Sequence, residues 1–196
     1  MMEAIHASKA VLRKEIKHKI STLTTDYKKL QSDIVLRKLF ALPIFKDSQR
    51  ISVYLSTKDE ISTDIIVKKI FENNNKCFVP RYNNQIMEMV KLESLRDYDT
   101  LPLTKWNIKQ PNLTEPRENA LETGGLDLII VPGVAFTTNG IRMGHGKGYY
   151  DTFLSKCIEK QEMPPRTVAL AFKEQIVDDI PCHDHDIKID LVLYPD

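Results

Sequence analysis

A glycine-rich segment between residues 142 and 154, RMGHGKGYYDTFL, carries the densest set of chemically suited residues in this chain of 196 residues. Its glycines alternate with other residues between Arg142 and Tyr149, and Lys147 and Asp151 lie within the same stretch. Glycine allows another group to approach the backbone closely and tolerates dihedral angles that side chains resist. Because free backbone N–H groups beside two cations suit an anion, the segment is predicted to bind phosphate.

Neither common phosphate-binding motif describes this segment. A P-loop would have glycine at position 141 and serine or threonine after Lys147, but Ile141 and Gly148 stand there. The dinucleotide motif G-x-G-x-x-G would need a third glycine at Tyr149. All seven glycines of the chain lie between residues 124 and 148, which ordinary turns alone would not explain. A flexible crossover between two elements remains the alternative interpretation.

Two acidic positions could bind a metal ion. Asp151 could supply Mg²⁺ with a hard oxygen ligand, or it could simply be favoured by the dipole of a helix that begins there. The segment HDHDIKID, residues 183 to 190, offers Asp186 or Asp190 as a second ligand. It lacks the histidine pair four residues apart that marks a helical zinc site, so magnesium is favoured over zinc. The serine-nucleophile motif G-x-S-x-G is absent from the chain.

Composition limits the class of protein further. A formal net charge of +1 argues against nucleic-acid binding through a strong uniform field. The three cysteines, Cys77, Cys157 and Cys182, form no C-x-x-C motif and are predicted to be reduced thiols in a cytoplasmic protein. The first residues lack the apolar region of a secretory signal, and no stretch approaches the roughly 20 apolar residues of a membrane span. The length is typical of one domain, residues 1–196.

The hydrophobic pattern predicts alternating helices and strands. Leu12, Ile16 and Ile20 form the apolar stripe of a first helix, and Thr25 or Asp26 is expected to cap a second helix that ends near Pro43. Further helices are predicted at 62–71 and 149–160. Runs rich in β-branched residues predict strands at 50–56, 76–81, 87–92, 126–132, 166–172 and 187–194.

This order of elements predicts an α/β fold, a sandwich whose mostly parallel central sheet is flanked by helices. The run 126–132 is apolar throughout, as expected of a central strand, whereas 87–92 alternates like an antiparallel edge strand. In open sheets of this kind, ligands bind outside the carboxyl ends of the strands. The glycine segment follows 126–132 and precedes a helix, so it lies where a site is expected.

The stretch VPGVAFTTNGIRMGHGKGYYDTFL resembles the signature of the 5-formyltetrahydrofolate cyclo-ligase family, also called 5,10-methenyltetrahydrofolate synthetases. Segments similar to the family occur along the whole chain: SKAVLRKEI, YLSTKDEIST, CFVPRY, LPLTKWNIKQP and VALAFKEQI. The resemblance implies an ATP- and Mg²⁺-dependent ligase that converts 5-formyltetrahydrofolate to 5,10-methenyltetrahydrofolate and releases ADP and phosphate. The protein is expected to be a monomer, and its charge and hydropathy predict that it works without nucleic acid or membrane.

The resemblance implies roles for individual residues as well. Arg142 and Lys147 would be catalytic, next to Asp151 and Asp186, which are predicted above from their chemistry to bind the metal. ATP would be bound by residues from the first helix and the glycine segment: Lys9, Arg13, Arg142, Met143, Gly144, His145, Gly146, Lys147, Gly148, Tyr149 and Tyr150. The folate would be bound by Leu55, Glu60, Trp106, Gly146, Lys147, Gly148, Tyr149 and Tyr150. His145 stands where relatives often have arginine or tyrosine.

Other interpretations remain open at the level of sequence. Lys9 and Arg13 could form an ordinary basic helix face, and a single tryptophan such as Trp106 is often a core residue. The protein could store folate without catalysis, although storage needs neither phosphate nor metal chemistry. It could also be an ATP-independent isomerase or CoA transferase on a similar scaffold, since fold alone does not give function. No glutamate at a strand end stands out as the nucleophile such a transferase would need.

Overall fold

A six-stranded sheet forms the centre of the protein in a computed structural model that describes residues 2–83, 86–182 and 186–196. The strands along the described chain are β1 (Arg50–Val53), β2 (Lys76–Tyr82), β3 (Met87–Leu92), β4 (Leu128–Val131), β5 (Ala135–Phe136), β6 (Arg142–Met143), β7 (Arg166–Leu170) and β8 (Leu191–Leu193). The sheet order is β3-β2-β1-β4-β7-β8, and β5 pairs with β6 in a separate antiparallel hairpin.

Helices flank the sheet. They are α1 (Met2–Ser21), α2 (Thr25–Ala41), α3 (Pro43–Asp47), α4 (Asp64–Glu72), α5 (Leu95–Thr100) and α6 (Tyr149–Lys160). Short 3₁₀ turns occur at Ala120–Glu122 and Lys173–Gln175. Among the described strands of this sheet only the β2–β3 pairing is antiparallel, and β3 lies at the edge. The predicted α/β class and the mostly parallel sheet are therefore confirmed.

Several predicted boundaries were wrong for local reasons. The N-cap of α2 is Thr24, whose side chain accepts a hydrogen bond from the Tyr27 amide, rather than Thr25 or Asp26. The end of this helix near Pro43 is confirmed: α2 ends at Ala41, and Pro43 begins α3, where its missing N–H costs nothing. The strand predicted at 187–194 is reduced to β8, because the Ile189 amide donates to the Gly140 carbonyl outside the sheet.

The sheet reverses its order at β1 and β4. β1 pairs in parallel with β2 on one side and with β4 on the other, so that Ser52 lies level with both Phe78 and Ile129. All four residues of β4 are buried, as expected of a strand covered on both faces. At such a reversal the segments leaving the carboxyl ends of the two strands diverge, and a crevice opens between them.

The helices α1 and α6 bury their apolar faces, as their hydrophobic spacing predicts. Ile16 and Ile20 of α1 are buried, which confirms the predicted apolar stripe, and Phe153, Leu154 and Cys157 bury the inner face of α6. Cys77 is also buried, Cys182 is exposed, and all three cysteines are free thiols. No helix in the described part of the chain combines the length and apolar character needed to cross a membrane.

Gly140 lies in the β5–β6 turn, where the turn packs against the backbone of the C-terminal segment at Ile189. Its φ is +95°, and an added Cβ would lie 2.1 Å from the Ile189 carbonyl oxygen. Gly124 also has positive φ, +111°, but a Cβ there would meet only the Arg50 side chain at 4.0 Å. Gly140→Ala should therefore lower the free energy of unfolding by about 2 kcal/mol more than Gly124→Ala, which carries the dihedral strain alone. Urea denaturation measures both, and equal losses would contradict this packing.

Candidate functional site

A cleft opens at the carboxyl ends of β1 and β4, where the sheet order reverses. Its volume is about 830 Å³, and its walls come from α1, the segment 54–63, the turn around residue 106, and the segments that follow β4 and β7. We call it the switch-point cleft; its lining includes Lys17, Glu60, Trp106, Val134, His145 and Gln175. Three residues predicted from the sequence, Glu60, Trp106 and His145, are thus brought together in one cavity.

Glu60 is held by the segment that leaves β1. Its Oε2 accepts hydrogen bonds from the Thr57 amide at 2.8 Å and the Thr57 hydroxyl at 2.9 Å. The segment itself is fixed to the strand end, because the Thr63 hydroxyl donates to the Tyr54 carbonyl and the Tyr54 hydroxyl donates to Ile61 O. Oε2 is therefore already hydrogen-bonded to Thr57, and Oε1 is the oxygen that faces His145 across the cleft.

The electrostatic setting of Glu60 opposes its ionisation. Its side chain is only 15% exposed, and the His145 Nε2 atom lies 4.0 Å from Oε1. Burial raises the pKa of Glu60, while the two hydrogen bonds from Thr57 partly offset the shift. The His145 side chain is 58% exposed, and its pKa is lowered by partial desolvation against the cleft wall and by the nearby cations Lys17, Arg13 and Arg142. Both shifts favour neutral forms in a partly water-excluded cleft.

Arg142 lies inside the protein rather than on the surface of the glycine segment. It belongs to β6, and its side chain is 3% exposed. Nη2 forms an ion pair with Asp151 Oδ2 at 2.8 Å, and Nη1 donates to the Pro132 carbonyl at 3.2 Å. Its buried Nε has no hydrogen-bond partner among the described residues. The guanidinium is therefore fixed in place with one polar atom still unsatisfied.

Cations from α1 reach the same region. Arg13 Nε donates to the Gly144 carbonyl at 2.8 Å, and its guanidinium lies beside Gly146. Lys9, one helical turn earlier, is buried and pairs with Asp186 at 2.6 Å. The two residues therefore do not form an ordinary solvated basic face. Lys147 is exposed, and Gly148 caps α6 in a left-handed conformation that glycine adopts readily.

Both predicted metal ligands are ion-paired. Asp151 faces Arg142, and Asp186 faces Lys9, so each carboxylate neutralises a cation predicted to bind phosphate. Asp190 lies outside this region. Its Oδ2 accepts hydrogen bonds from the Thr167 amide and hydroxyl at the amino end of β7, whereas the cleft lies at the carboxyl ends of the strands. Among the described residues no group of three potential ligands could enclose a metal. His183, Asp184 and His185, the alternative zinc ligands, lie outside the described residues.

The aromatic and apolar residues predicted to contact a ligand differ in how far they are exposed to the cleft. Trp106 is 70% exposed at the cleft, beside the Lys105 ammonium, so it is not a core residue. Leu55 and Tyr150 are buried in the hydrophobic core. The Tyr149 ring packs against Tyr82, with centroids 5.2 Å apart. Direct contact of these three residues with a ligand stays a prediction.

Sequence reasoning missed several residues around the site. Tyr82 ends β2 at the carboxyl edge of the sheet, and burial raises its pKa as it does that of Tyr150. Gly133, Val134 and Gln175 line the switch-point cleft, and no role was predicted for them. These residues fall within segments that resemble the family, and they lie at or after the carboxyl ends of β2, β4 and β7, where an open sheet binds its ligands; both signals could have indicated them.

Comparison with known proteins identifies the family. A model of the 5-formyltetrahydrofolate cyclo-ligase family matches residues 5–195. The chain belongs to this family. It is 46% identical to the mouse 5-formyltetrahydrofolate cyclo-ligase over 98% of this chain and 96% of the mouse protein. It is 38% identical to the probable 5-formyltetrahydrofolate cyclo-ligase of Caenorhabditis elegans, over 98% of this chain and 95% of the relative.

Solved structures agree with this assignment. The 5,10-methenyltetrahydrofolate synthetase of Aquifex aeolicus superimposes with a TM-score of 0.76 at 26% identity, covering 94% of this chain and 88% of that one. A synthetase of the same name from Mycoplasma pneumoniae has a TM-score of 0.72 at 21% identity, covering 95% and 98%, and supports the fold. The predicted family is confirmed, and the protein is an enzyme of the ligase class.

The buried Glu60 carboxylate predicts a gain in stability on its removal. Because its pKa is raised in the folded protein, its ionised form favours the unfolded chain near neutral pH. Glu60→Gln keeps an oxygen for Thr57 and should raise the free energy of unfolding by about 1 kcal/mol at about pH 7. As the pH falls, native Glu60 takes up its proton before the unfolded chain does, so the difference should shrink towards about pH 5.

Urea denaturation at several pH values measures this difference. Asp59→Asn is the control, because the neighbouring Asp59 is half-exposed and pairs with Lys28 at the surface. It should give no stabilisation. A Glu60→Gln variant that is less stable than the wild type near pH 7 would contradict the placement of an ionised, poorly solvated carboxylate in the cleft.

Proposed function

We propose that this cyclo-ligase converts 5-formyltetrahydrofolate to 5,10-methenyltetrahydrofolate with consumption of ATP and release of ADP and phosphate. The observation that carries the proposal is that a cleft suited to a pterin adjoins a glycine-rich, cationic segment suited to phosphate. The switch-point cleft, with Glu60 and Trp106, suits a pterin, and His145, which lines the same cleft, belongs to the glycine segment that Arg13 contacts. Family membership and the names of the relatives support the same reaction. The cytoplasmic location and monomeric state remain predictions.

The chemistry explains why ATP is needed. The N5-formyl group is an amide, so its carbon is a weak electrophile and its oxygen a poor leaving group. Attack of the formyl oxygen on the γ-phosphorus breaks the bond to ADP and places a phosphate on that oxygen. N10 then adds to the formyl carbon and loses its proton, and the carbon–oxygen bond breaks to release phosphate. The protein's contribution to such a transfer is positioning and charge stabilisation.

The folate side of the site is organised around Glu60. An amino-pyrimidine edge offers N–H donors that a carboxylate accepts well. Since Thr57 already occupies Oε2, Oε1 is the acceptor we assign to the pterin, with His145 as its neighbour. Trp106 is exposed at the cleft, where its face could stack on an aromatic ring. This arrangement would hold the formyl group at the mouth of the glycine segment.

The phosphate side is organised around four cations. Arg13 and Arg142 are held against the backbone at Gly144 and Pro132, while the exposed Lys147 extends from the loop. Lys9 completes the set from within its ion pair with Asp186. Three equatorial oxygens of a transferring phosphoryl group carry negative charge that such cations stabilise.

The predicted metal fits this donor set as part of a nucleotide complex. Mg²⁺ in nucleotide sites commonly keeps waters and phosphate oxygens and takes one or two carboxylates from the protein. Asp151 and Asp186 supply carboxylate oxygens of that kind, and the described residues contain no protein cage that would bind the ion alone. Mg²⁺ bound with ATP would screen the phosphate charge, while Arg142 and Lys9 would exchange their carboxylate partners for phosphate oxygens.

One assay separates this function from its alternatives. The protein is incubated with 5-formyltetrahydrofolate, ATP and Mg²⁺, and methenyl absorbance is followed together with ADP. We expect both products in equal amounts and neither when ATP is omitted. Binding of folate without turnover would indicate a storage protein, and turnover without ATP would indicate a transferase or isomerase.

Lys147 should affect catalysis more than binding of folate. If its ammonium stabilises charge that develops on the transferring phosphoryl group, Lys147→Ala should lower turnover at saturating substrates on the order of a hundredfold. Lys160→Ala is the matched control, because Lys160 is also exposed but lies at the far end of α6. Steady-state kinetics of the two variants provide the measurement. Turnover near the wild-type value in Lys147→Ala would exclude this role.

Glu60 and Asp151 should serve different ligands. Glu60→Gln replaces an acceptor oxygen by an amide donor, so the KM for folate should rise about tenfold or more with little change in the KM for ATP. Asp151→Asn should weaken Mg²⁺ instead, and excess magnesium should partly restore its activity. Apparent constants for folate, ATP and Mg²⁺ in both variants decide the point. Magnesium rescue of Glu60→Gln, or loss of the same ligand in both, would refute the division.

A further inference from the structure

Gln175 is a buried amide at the back of the switch-point cleft. It ends the 3₁₀ turn after β7 and is 4% exposed. Its Oε1 accepts from the Phe172 amide at 2.9 Å, and its Nε2 donates to the carbonyls of Gly133 at 2.9 Å and Val134 at 3.2 Å. One backbone donor and two backbone acceptors fix which end of the amide is oxygen and which is nitrogen.

The two carbonyls belong to the turn on which Arg142 rests. Arg142 Nη1 donates to Pro132 O, and a Cβ placed on Gly133 would lie 3.1 Å from Arg142 Cγ, so the side chain packs directly on this backbone. The Val134 amide donates to the Met143 carbonyl at 2.7 Å, immediately before the glycine segment. The turn therefore sets the position of both Arg142 and the start of that segment.

We propose that Gln175 is a positioning residue for phosphoryl transfer: its amide holds the Pro132–Val134 turn and, through that turn, the Arg142 guanidinium. This inference rests on the proposed function. Displacement of a catalytic group by about 1 Å can lower a rate by about a hundredfold, so the effect of a residue that touches no reacting atom can be large. Arg142 is held by Asp151 on one side and by this turn on the other.

The decisive variant is Gln175→Glu, because it makes the hydrogen bonding of residue 175 to the Pro132–Val134 turn depend on pH. Its carboxyl can still accept from Phe172, but in the ionised form its other oxygen faces the Gly133 and Val134 carbonyls and repels them. In the protonated form it donates to one of them. Burial and the two carbonyls should raise the pKa of the introduced acid. The ratio of its kcat/KM for ATP to that of the wild type should therefore rise severalfold from about pH 8 to about pH 6.

Two further variants separate positioning from stability. Gln175→Met keeps the size and removes all three hydrogen bonds, so kcat/KM for ATP should fall at least tenfold or so, with a ratio to wild type that is independent of pH. Gln31→Met is the matched control. Gln31 is 1% exposed and bonds to Lys173 and Glu174 of the same turn, but it does not reach the Pro132–Val134 turn.

Kinetics by ADP release and urea denaturation are measured on all variants. If Gln175 positions Arg142, Gln31→Met should lose stability yet keep kcat/KM for ATP within about twofold of the wild type, while Gln175→Met should lose activity. The inference is overturned if both lose activity in proportion to stability, or if the Gln175→Glu ratio does not change with pH. Should Gln175→Met fail to fold, Gln175→Asn, which keeps the amide but shortens its reach, replaces it. An inactive wild type would instead refute the proposed function.

Discussion

The parallel pairing of β1 with β4 is the constraint on which the site depends. Residues 51–53 of β1 and all of β4 are buried, and the two strands lie where the strand order reverses, so the segments leaving their carboxyl ends must diverge. One segment fixes Glu60 through Thr57, and the other leads through the Gly133 turn to Arg142. The crevice between them thus has an acidic wall and a cationic wall, and the charged groups of both walls come from segments outside β1 and β4.

The two buried cations of the site are paired with carboxylates before any ligand binds. Arg142 is buried against Asp151 and Lys9 against Asp186, which offsets the cost of withdrawing each ion from water. A phosphate that replaced a carboxylate would find a cation already oriented, with Arg142 Nε still without a hydrogen-bond partner in the part of the chain that the structure describes. Preorganisation of this kind reduces the reorganisation needed during phosphoryl transfer. The same carboxylates, once released, would be available to a hard cation.

Sequence patterns predicted the parts of the fold that depend on local periodicity. The helix at 149–160 and the edge strand at 87–92 were predicted at their observed bounds because each has one clear apolar pattern. The β5–β6 hairpin has two residues per strand, too few for any period to be read. Roles for Glu60 and Arg142 came from resemblance, and proximity supports them. Gln175 lies in the family-like segment VALAFKEQI, but its role was not predicted, since its partners Gly133 and Val134 lie about 40 residues away and are joined to it only by folding.

The fate of the formyl oxygen tests most directly whether the two walls of the cleft act on one reaction. 5-Formyltetrahydrofolate labelled with ¹⁸O in the formyl group is converted with unlabelled ATP, and the released phosphate is analysed by mass spectrometry. If the formyl oxygen attacks the γ-phosphorus beside Arg142 and Lys147, each phosphate should carry one labelled atom. Unlabelled phosphate would contradict this account, because ATP would then be cleaved by water rather than by the substrate.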